Sequence, residues 1–293
     1  MKLLDSDSIW VFLSGSDEDR FLSDISFGVQ CLLHRKFPMQ NILLFIDQPS
    51  GSNFAYAYSF PTGIQVHQTA QLEVELCSRN FKKLVVVVTG HGGITGIVAS
   101  PDIQPCPLLE VIKSLTDIEV ALVVLGQCYA GTFNFLEARS INQTGKVLPP
   151  EICLLGATDL AASLSASVDL STITTINQFQ CSLKWSANLF LIYFMLHVAS
   201  PIDLDGDNRF TVLDAYKAAG IGTNTHLLNL RQQTLREFYA VILSSTVSQL
   251  TQQVVAQQLA EKARQDLMAA SEAVLTNQSP WILHANLARK LEL

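Results

Sequence analysis

Residues 84–93 read Leu84-Val85-Val86-Val87-Val88-Thr89-Gly90-His91-Gly92-Gly93, an apolar run that ends in a glycine-rich turn. Other apolar runs of similar length occur at residues 9–13, 42–46, 120–125 and 152–155. Runs without alternating polar residues are typical of strands that are covered on both faces, as in a parallel sheet. Helix-compatible segments lie between these runs, at residues 19–35, 69–80 and 108–114. The alternation predicts an α/β fold with a mostly parallel central sheet flanked by helices.

The composition of the chain excludes several classes of protein. Of its 293 residues, 48% are hydrophobic and 15% are charged, which is far from the composition of a disordered chain. The net charge of −7 argues against direct binding of nucleic acid, because neutralising phosphates requires clustered Lys and Arg.

Two further patterns bear on location. The most apolar segment, residues 185–202, has a dense apolar part of eight residues, whereas a bilayer span needs about 20, so we expect a buried helix and no membrane association. Asp5 and Asp7 interrupt any apolar region that a secretory signal would need. The six cysteines are 22 to 46 residues apart and form no C-x-x-C pair, which predicts a protein of the reducing cytoplasm.

The last 71 residues have a different character, because no glycine follows Gly222 and only one proline, Pro280, occurs there. We therefore predict a domain at residues 1–222 and a helical C-terminal extension at residues 223–293. Apolar residues keep roughly helical spacing in this extension, at Leu243, Val247, Leu250, Val254, Leu259, Ala263, Leu267 and Val274. The helix either packs back on its own domain or docks a regulatory protein partner.

Two predicted strand ends carry chemically active side chains. Ligands of a parallel sheet gather at the carboxyl ends of the strands. There, one run is followed by His91 within Thr89–Gly96, and another by Cys128 within Gly126–Gly131. An imidazole and a thiol form the minimal base and nucleophile pair for attack on a carbonyl. The 37 residues between them leave room for one crossover.

The surroundings of Cys128 suit a nucleophile. A helix predicted at residues 132–139 would place free N–H groups near the sulfur and stabilise a thiolate. Gly92 allows a substrate backbone to approach closely, so its N–H and that of Cys128 could form an oxyanion hole, each donor being typically worth about 3 kcal/mol.

Other interpretations of these residues remain open. A single Cys or His at a strand end is usually a buried hydrophobe or a hydrogen-bonded polar group. A zinc site formed by His91, Cys106 and Cys128 would lack a fourth ligand and a short ligand pair. A nucleotide-binding turn at residues 90–96 has the wrong glycine spacing for G-x-G-x-x-G.

The turns "TGHGG" and "GQCYAG", with their order and strand context, resemble those of cysteine peptidases of the caspase-haemoglobinase fold, and most closely the legumain-like branch. The segments "SGSDEDR", "LLGATDLAASLSAS" and "DLDGDNRFTVLDAYKAA" extend this resemblance over about residues 5–222. The resemblance implies that His91 is the general base, that Cys128 is the nucleophile, and that the backbones of Gly92 and Cys128 form the oxyanion hole.

The resemblance also implies a set of substrate-binding residues. Arg20 matches a residue that reads the substrate side chain before the scissile bond, although an ordinary solvated charge is the alternative. Gly126 replaces the side chain that several relatives place two residues before the nucleophile, which leaves the primary specificity open, with an acidic or amide side chain favoured if Arg20 points inward. The loop at residues 139–150 matches a segment that is cut in some relatives. The other expected substrate-binding residues are Gln127, Asp159, Ser163 and Ser165, with Asp169 in the same loop.

An acidic loop at residues 203–214 places carboxylates at relative positions 1, 3, 5 and 12, nearly the pattern of a helix-loop-helix calcium site. Its expected ligands are Asp203, Asp205, Asp207, Asp214 and the backbone carbonyl of Arg209. Asn208 stands where such loops have glycine, but Asn tolerates a positive φ. The alternative is an acidic turn that caps the helix starting near Asp214.

Together these features predict a cytoplasmic cysteine endopeptidase that hydrolyses protein or peptide substrates through His91 and Cys128. The chemistry requires no cofactor, and Ca²⁺ is a candidate effector. A regulatory partner is expected at the C-terminal helix. The alternatives are a catalytically silent peptidase-fold adaptor and a nucleotide-dependent α/β enzyme.

Overall fold

The computed structural model describes residues 1–47, 60–61, 63–169, 184–250, 258, 261–262, 264–265, 267–268 and 278–293. The backbone alone is described at residues 244–250. Strands β1 to β13 are, in chain order, Ser8–Ser14, Ile42–Ile46, Gln65–His67, Lys83–Val88, Gly92–Gly93, Gly96–Ile97, Val120–Leu125, Ser140–Ile141, Val147–Leu148, Glu151–Gly156, Ser165–Asp169, Lys184–Asn188 and Trp281–Leu283. Helices α1 to α6 are Asp19–His34, Leu72–Cys77, Pro105–Ser114, Leu189–Ala199, Val212–Leu250 and Ala285–Ala288.

The central sheet has the strand order β13-β10-β7-β4-β1-β2-β3 within the described residues. All of its neighbouring pairs are parallel except β10 with β13. Every residue of β1, β2, β4 and β7 is buried, which explains why these strands appear in the sequence as unbroken apolar runs. The predicted α/β fold with a mostly parallel sheet flanked by helices is confirmed.

Two apolar cores cover the two faces of the sheet. One core contains alternate residues of the central strands together with residues of α1, α4 and α5. The other contains the remaining alternate residues together with α2 and α3. The result is three layers, with the carboxyl ends of β1, β4, β7 and β10 at one edge.

The structure corrects three expectations. Residues 184–188 form β12 rather than part of a helix, so the buried helix in this apolar segment begins at Leu189. The expected domain boundary at residue 222 lies inside α5, which is continuous from Val212 to Leu250. The C-terminal segment is not wholly helical, because β13 returns to the central sheet and pairs with β10.

Three further features apply to the described ranges alone: helices that could cross a membrane, free cysteines, and the apolar positions of the C-terminal helix. Within these ranges, no helix combines the length and the apolarity that crossing a bilayer requires. Five cysteines are free thiols there, and Cys181 lies outside those ranges. Of the apolar positions predicted for the C-terminal helix, Val254, Leu259, Ala263 and Val274 also lie outside them.

Candidate active site

His91 and Cys128 follow two neighbouring strands. Val88 at the end of β4 pairs with Leu125 at the end of β7, and the N–H of Gly126 donates to the carbonyl of Val88 at 2.9 Å. Each of the two residues comes three positions after the last residue of its strand. The parallel pairing therefore brings both turns to the same edge of the sheet.

The two turns are in direct contact through Gly92. A Cβ added to Gly92 would overlap with the carbonyl oxygen of Cys128 and would lie 2.6 Å from Cγ of Gln127. Only glycine allows these two backbones to pack so closely. The residues that we expect to supply the oxyanion hole, Gly92 and Cys128, are thus adjacent although they are far apart in the chain.

Glu18 holds the imidazole of His91. Its carboxylate is hydrogen-bonded to Nε2 of His91, and the ring of Phe21 meets the imidazole edge-on with a centroid distance of 5.1 Å. Because Nε2 is taken by Glu18, Nδ1 is the nitrogen left to exchange a proton with a thiol or a leaving group. A carboxylate that fixes the orientation of a catalytic imidazole is the third member of the triad arrangement.

Glu18 is a residue that the sequence analysis missed. It lies between β1 and α1, and β1 is the neighbour of β4 on the side away from β7. Applying the rule of carboxyl strand ends to β1 would have included it among the candidates.

Arg20 lies on the first turn of α1, the helix that follows β1. Its Nε donates to Glu18 at 2.9 Å, and its guanidinium lies 4.4 Å from the centroid of the Phe21 ring. Desolvation by itself would raise the pKa of Glu18, but the hydrogen bond from His91 and the charge of Arg20 outweigh it, so the pKa is lowered. Glu18 is therefore a carboxylate at neutral pH.

The sulfur of Cys128 is half-buried and accepts a hydrogen bond from the backbone N–H of Ser163 at 3.3 Å. The α-helix predicted at residues 132–139 is absent from this described segment, which has only a 3₁₀ turn at Ala130–Phe133. Tyr129 has a left-handed conformation with φ of 55°, and Phe133 is fully buried. The expected support of the thiolate by a helix start is therefore wrong. The sulfur instead contacts the backbone of Ser163, whose N–H lies at 3.3 Å and whose carbonyl oxygen lies at 3.9 Å.

The loop after β10 forms a wall behind the Cys128 turn. Tyr129 N–H donates to the carbonyl of Ala161 at 2.8 Å, and Gly131 N–H donates to the carbonyl of Asp159 at 3.3 Å. A Cβ at Gly131 would overlap with the Asp159 carboxylate, so the two segments are in close contact. The side chain of Asp159 is exposed. Ser165 and Asp169 lie further along, at the two ends of β11.

Within the described part of the chain, neither Gln127 nor Gly126 borders an open space that could receive a substrate side chain. Gln127 is 1% exposed, and neither polar atom of its side chain has a hydrogen-bond partner among the described residues. A Cβ at Gly126 would overlap with the side chain of Leu191, whose Cγ would lie 2.6 Å away. Leu191 thus fills the space that a side chain two residues before Cys128 would occupy.

A buried polar network lies beneath the two turns. The Asp24 carboxylate accepts hydrogen bonds from Trp185 Nε1 at 2.9 Å, Thr89 Oγ1 at 3.0 Å and Asn188 N at 3.3 Å. Burial raises the pKa of Asp24 to about 7, although these three donors and the more distant charge of Arg20 act to lower it. The network joins α1 to the residue that follows β4 and to the end of β12.

The acidic loop lies apart from these residues, between α4 and α5. Oxygens of Asp203, Asp205 and Asp214 lie within 4.8 Å of one another and could hold a divalent cation. The structure does not bring Asp207 into this group within the described residues. Lys217 already forms ion pairs with Asp205 at 3.1 Å and with Asp214 at 3.9 Å.

Residues of this loop also cap the start of α5. Thr211 N–H and Oγ1 both donate to the buried Asp214 carboxylate, while Asp214 N–H donates back to Thr211 Oγ1 at 3.3 Å. This reciprocal arrangement is a capping box at the start of α5. Asn208 has the expected positive φ, 63°. The side chain of Arg209 forms an ion pair with Glu292 at 2.7 Å.

The described residues contain no metal-binding group formed by His91, Cys106 and Cys128, which removes the zinc alternative there. The glycine-rich turn at residues 90–96 continues into the β5–β6 hairpin rather than into a helix. Neither a comparison with protein-family models nor a comparison with curated proteins gives a match for this chain.

Proposed function

We propose that the chain is a cysteine endopeptidase that hydrolyses peptide bonds through Cys128 and His91. The observation that carries this proposal is the direct packing of Gly92 against the Cys128 carbonyl at two adjacent strand ends. The resemblance of both turns to those of legumain-like and caspase-like peptidases supports it. The chemistry uses groups of the chain alone.

We assign a role to each group. His91 takes the thiol proton of Cys128 at Nδ1 while Glu18 holds Nε2, and the thiolate then attacks the carbonyl carbon of the scissile bond. The N–H groups of Gly92 and Cys128 stabilise the oxyanion of the tetrahedral intermediate. The imidazolium returns the proton to the departing amine, which leaves a thioester on Cys128. A water molecule activated by His91 hydrolyses this thioester and regenerates the thiol.

Arg20, which is paired with Glu18, is a charged residue beside this arrangement that could read a substrate. The ion pair with Glu18 uses only Nε of Arg20, so the two terminal nitrogens can face a substrate carboxylate or carboxamide. We therefore propose that the substrate is a protein segment with an acidic or amide side chain before the scissile bond.

A fluorogenic peptide library tests the proposal with three proteins: the wild type, Cys128→Ala and Cys106→Ala. Cys106 is an exposed cysteine on α3 and serves as the matched control. We expect turnover by the wild type and by Cys106→Ala, and loss of turnover in Cys128→Ala. Equal turnover by the wild type and Cys128→Ala would exclude Cys128 as the nucleophile.

The second candidate function is a catalytically silent adaptor that binds a protein partner through α5. It is favoured by five apolar side chains of this helix that are half or more exposed: Ile221, Leu228, Leu235, Tyr239 and Leu243. The adaptor function predicts that thiol-reactive peptide probes do not label Cys128, whereas the peptidase function predicts selective labelling at this residue.

A further inference from the structure

Asn188 is buried beneath the Cys128 turn, and its side chain forms hydrogen bonds with three different segments. Its Nδ2 donates to the carbonyl of Gly126 at 2.6 Å and to Oγ of Ser163 at 2.9 Å. Its Oδ1 accepts from the N–H of Leu191 at 3.0 Å and so caps α4. Asn188 is 6% exposed, so these bonds form away from competing water.

Gln278 holds the two peptide groups on either side of Ser163. Its Oε1 accepts from the N–H of Leu164 at 3.1 Å, and its Nε2 donates to the carbonyl of Ala162 at 2.8 Å. Gln278 is 7% exposed and precedes β13. Two buried amide side chains from distant parts of the chain therefore fix the position of Ser163.

These two side chains place the backbone of Ser163, whose N–H donates to Cys128 Sγ at 3.3 Å and whose carbonyl accepts from the thiol over a longer distance of 3.9 Å. A hydrogen bond from an N–H stabilises a thiolate more than a thiol, because the charged sulfur is the stronger acceptor. A fixed donor at this distance favours the ionised nucleophile and also limits the positions that the sulfur can adopt.

We infer that the Ser163 N–H is a thiolate-stabilising donor for Cys128, and that Asn188 and Gln278 are the positioning residues that hold it there. This inference rests on the proposed function in one respect, that Cys128 is the nucleophile. It adds a donor that is separate from the oxyanion hole and from His91. It also gives the C-terminal segment a role at the active site, since Gln278 comes from that segment.

The rate of alkylation of Cys128 by iodoacetamide tests this inference without requiring peptidase activity. The rate is measured by mass spectrometry of the peptide that contains Cys128, at pH 7 and at pH 9.5, in the full chain. The variants are Gln278→Ala and Asn188→Ser; serine at residue 188 keeps an oxygen that can cap α4 but is too short to reach Gly126 and Ser163 together. The matched control is Asn41→Ala, which removes two bonds to the carbonyls of Ser6 and Ser8 at the start of β1.

We expect alkylation at pH 7 to fall at least about threefold in both variants, and to be unchanged in Asn41→Ala. The difference should shrink at pH 9.5, because cysteine thiols in general are largely ionised at that pH. Loss of packing alone would expose the sulfur and raise the rate at both pH values, which would overturn the inference. Rates within the error of the wild type, with circular dichroism showing folded proteins, would overturn it as well.

Peptide hydrolysis measured in parallel separates this inference from the proposed function. Hydrolysis by the wild type together with unchanged alkylation in both variants refutes the positioning role and leaves the peptidase intact. Reduced alkylation in the two variants without hydrolysis by any of the proteins supports the donor and refutes the peptidase.

Discussion

Replacing Asp24 with Asn should remove a specific loss of stability as the pH rises. Asp24 is buried, and burial raises its pKa from the ordinary value of 3.8 to about 7. Between these two pH values the folded protein holds a proton on Asp24 that the unfolded chain releases. The contribution of Asp24 to the free energy of unfolding is therefore complete below pH 3.8 and is lost as the pH rises through 7. Since one pH unit corresponds to about 1.4 kcal/mol, the full difference of about three units is roughly 4 kcal/mol.

An asparagine side chain at residue 24 can preserve the hydrogen bonds of the network. Its oxygen can accept from Trp185 and from the N–H of Asn188, as Oδ1 of Asp24 does. Its amide nitrogen would face Thr89, whose hydroxyl can turn and accept instead of donating. The substitution thus removes the titration and leaves the packing nearly unchanged.

The assay is urea denaturation of the wild type, Asp24→Asn and Asp117→Asn at several pH values from 5 to 8. We expect the free energy of unfolding of Asp24→Asn to gain roughly 2 to 3 kcal/mol relative to the wild type across this range. Asp117 is an exposed residue with φ of 67°, a conformation that Asn tolerates, so Asp117→Asn should follow the wild type. Parallel curves for the wild type and Asp24→Asn would show that the folded protein does not hold this proton.

Three other substitutions test the active site and α5. Gly92→Ala should lower kcat/KM at least about tenfold, because its Cβ would push the Cys128 carbonyl away. The control, Gly93→Ala, should retain activity, because its Cβ would meet only Thr95 Oγ1 at 3.8 Å. Equal activities of the two variants would contradict the contact between Gly92 and Cys128. Glu18→Gln should lower kcat at least about tenfold, with a smaller change in KM, because His91 loses the carboxylate that orients it; steady-state kinetics measure both. Thr211→Ala should lower the free energy of unfolding by about 1 kcal/mol in urea titrations, because it removes the capping box.

The sequence predicted the central strands well because their signal is local. Unbroken apolar runs at residues 42–46 and 120–125 coincide with β2 and β7, since strands buried on both faces tolerate few polar residues. The edge strands β3 and β13 are three residues long, which is too short for a periodic pattern. Their positions depend on pairing with β2 and β10, which the sequence does not encode locally.

The helix predicted at residues 132–139 failed for a tertiary reason. Phe133 and Ala138 are both fully buried, and Phe135 between them is 72% exposed. On an α-helix, side chains five residues apart point about 140° away from each other around the helix axis. One face of a helix therefore could not bury both Phe133 and Ala138. Packing of the Cys128 turn against the loop after β10 decides this segment, and helix propensity does not.

The candidate site divides in the same way between local and tertiary information. His91, Gly92 and Cys128 could be named from the sequence because strand ends and glycine-rich turns are visible there. Glu18 could be found only by extending the same rule to β1. Asn188 and Gln278 act through folded contacts with residues more than 20 positions away, and nothing in their own sequence context marks them.

The two polar networks of the site should respond to different conditions, because they differ in exposure. The side chains of Glu18, Arg20 and His91 are between 36% and 48% exposed, so the ion pair of Glu18 with Arg20 is screened by salt and contributes little to the free energy of unfolding. Asp24 and Asn188 are at most 9% exposed. Charging a group at such a buried position costs free energy, and dissolved salt has little access to it. Salt concentration should therefore act mainly on the orientation of His91 and on catalysis, whereas pH near 7 should act on stability through Asp24. A wild-type protein whose stability between pH 5 and 8 changes with salt as strongly as its kcat does would contradict this division.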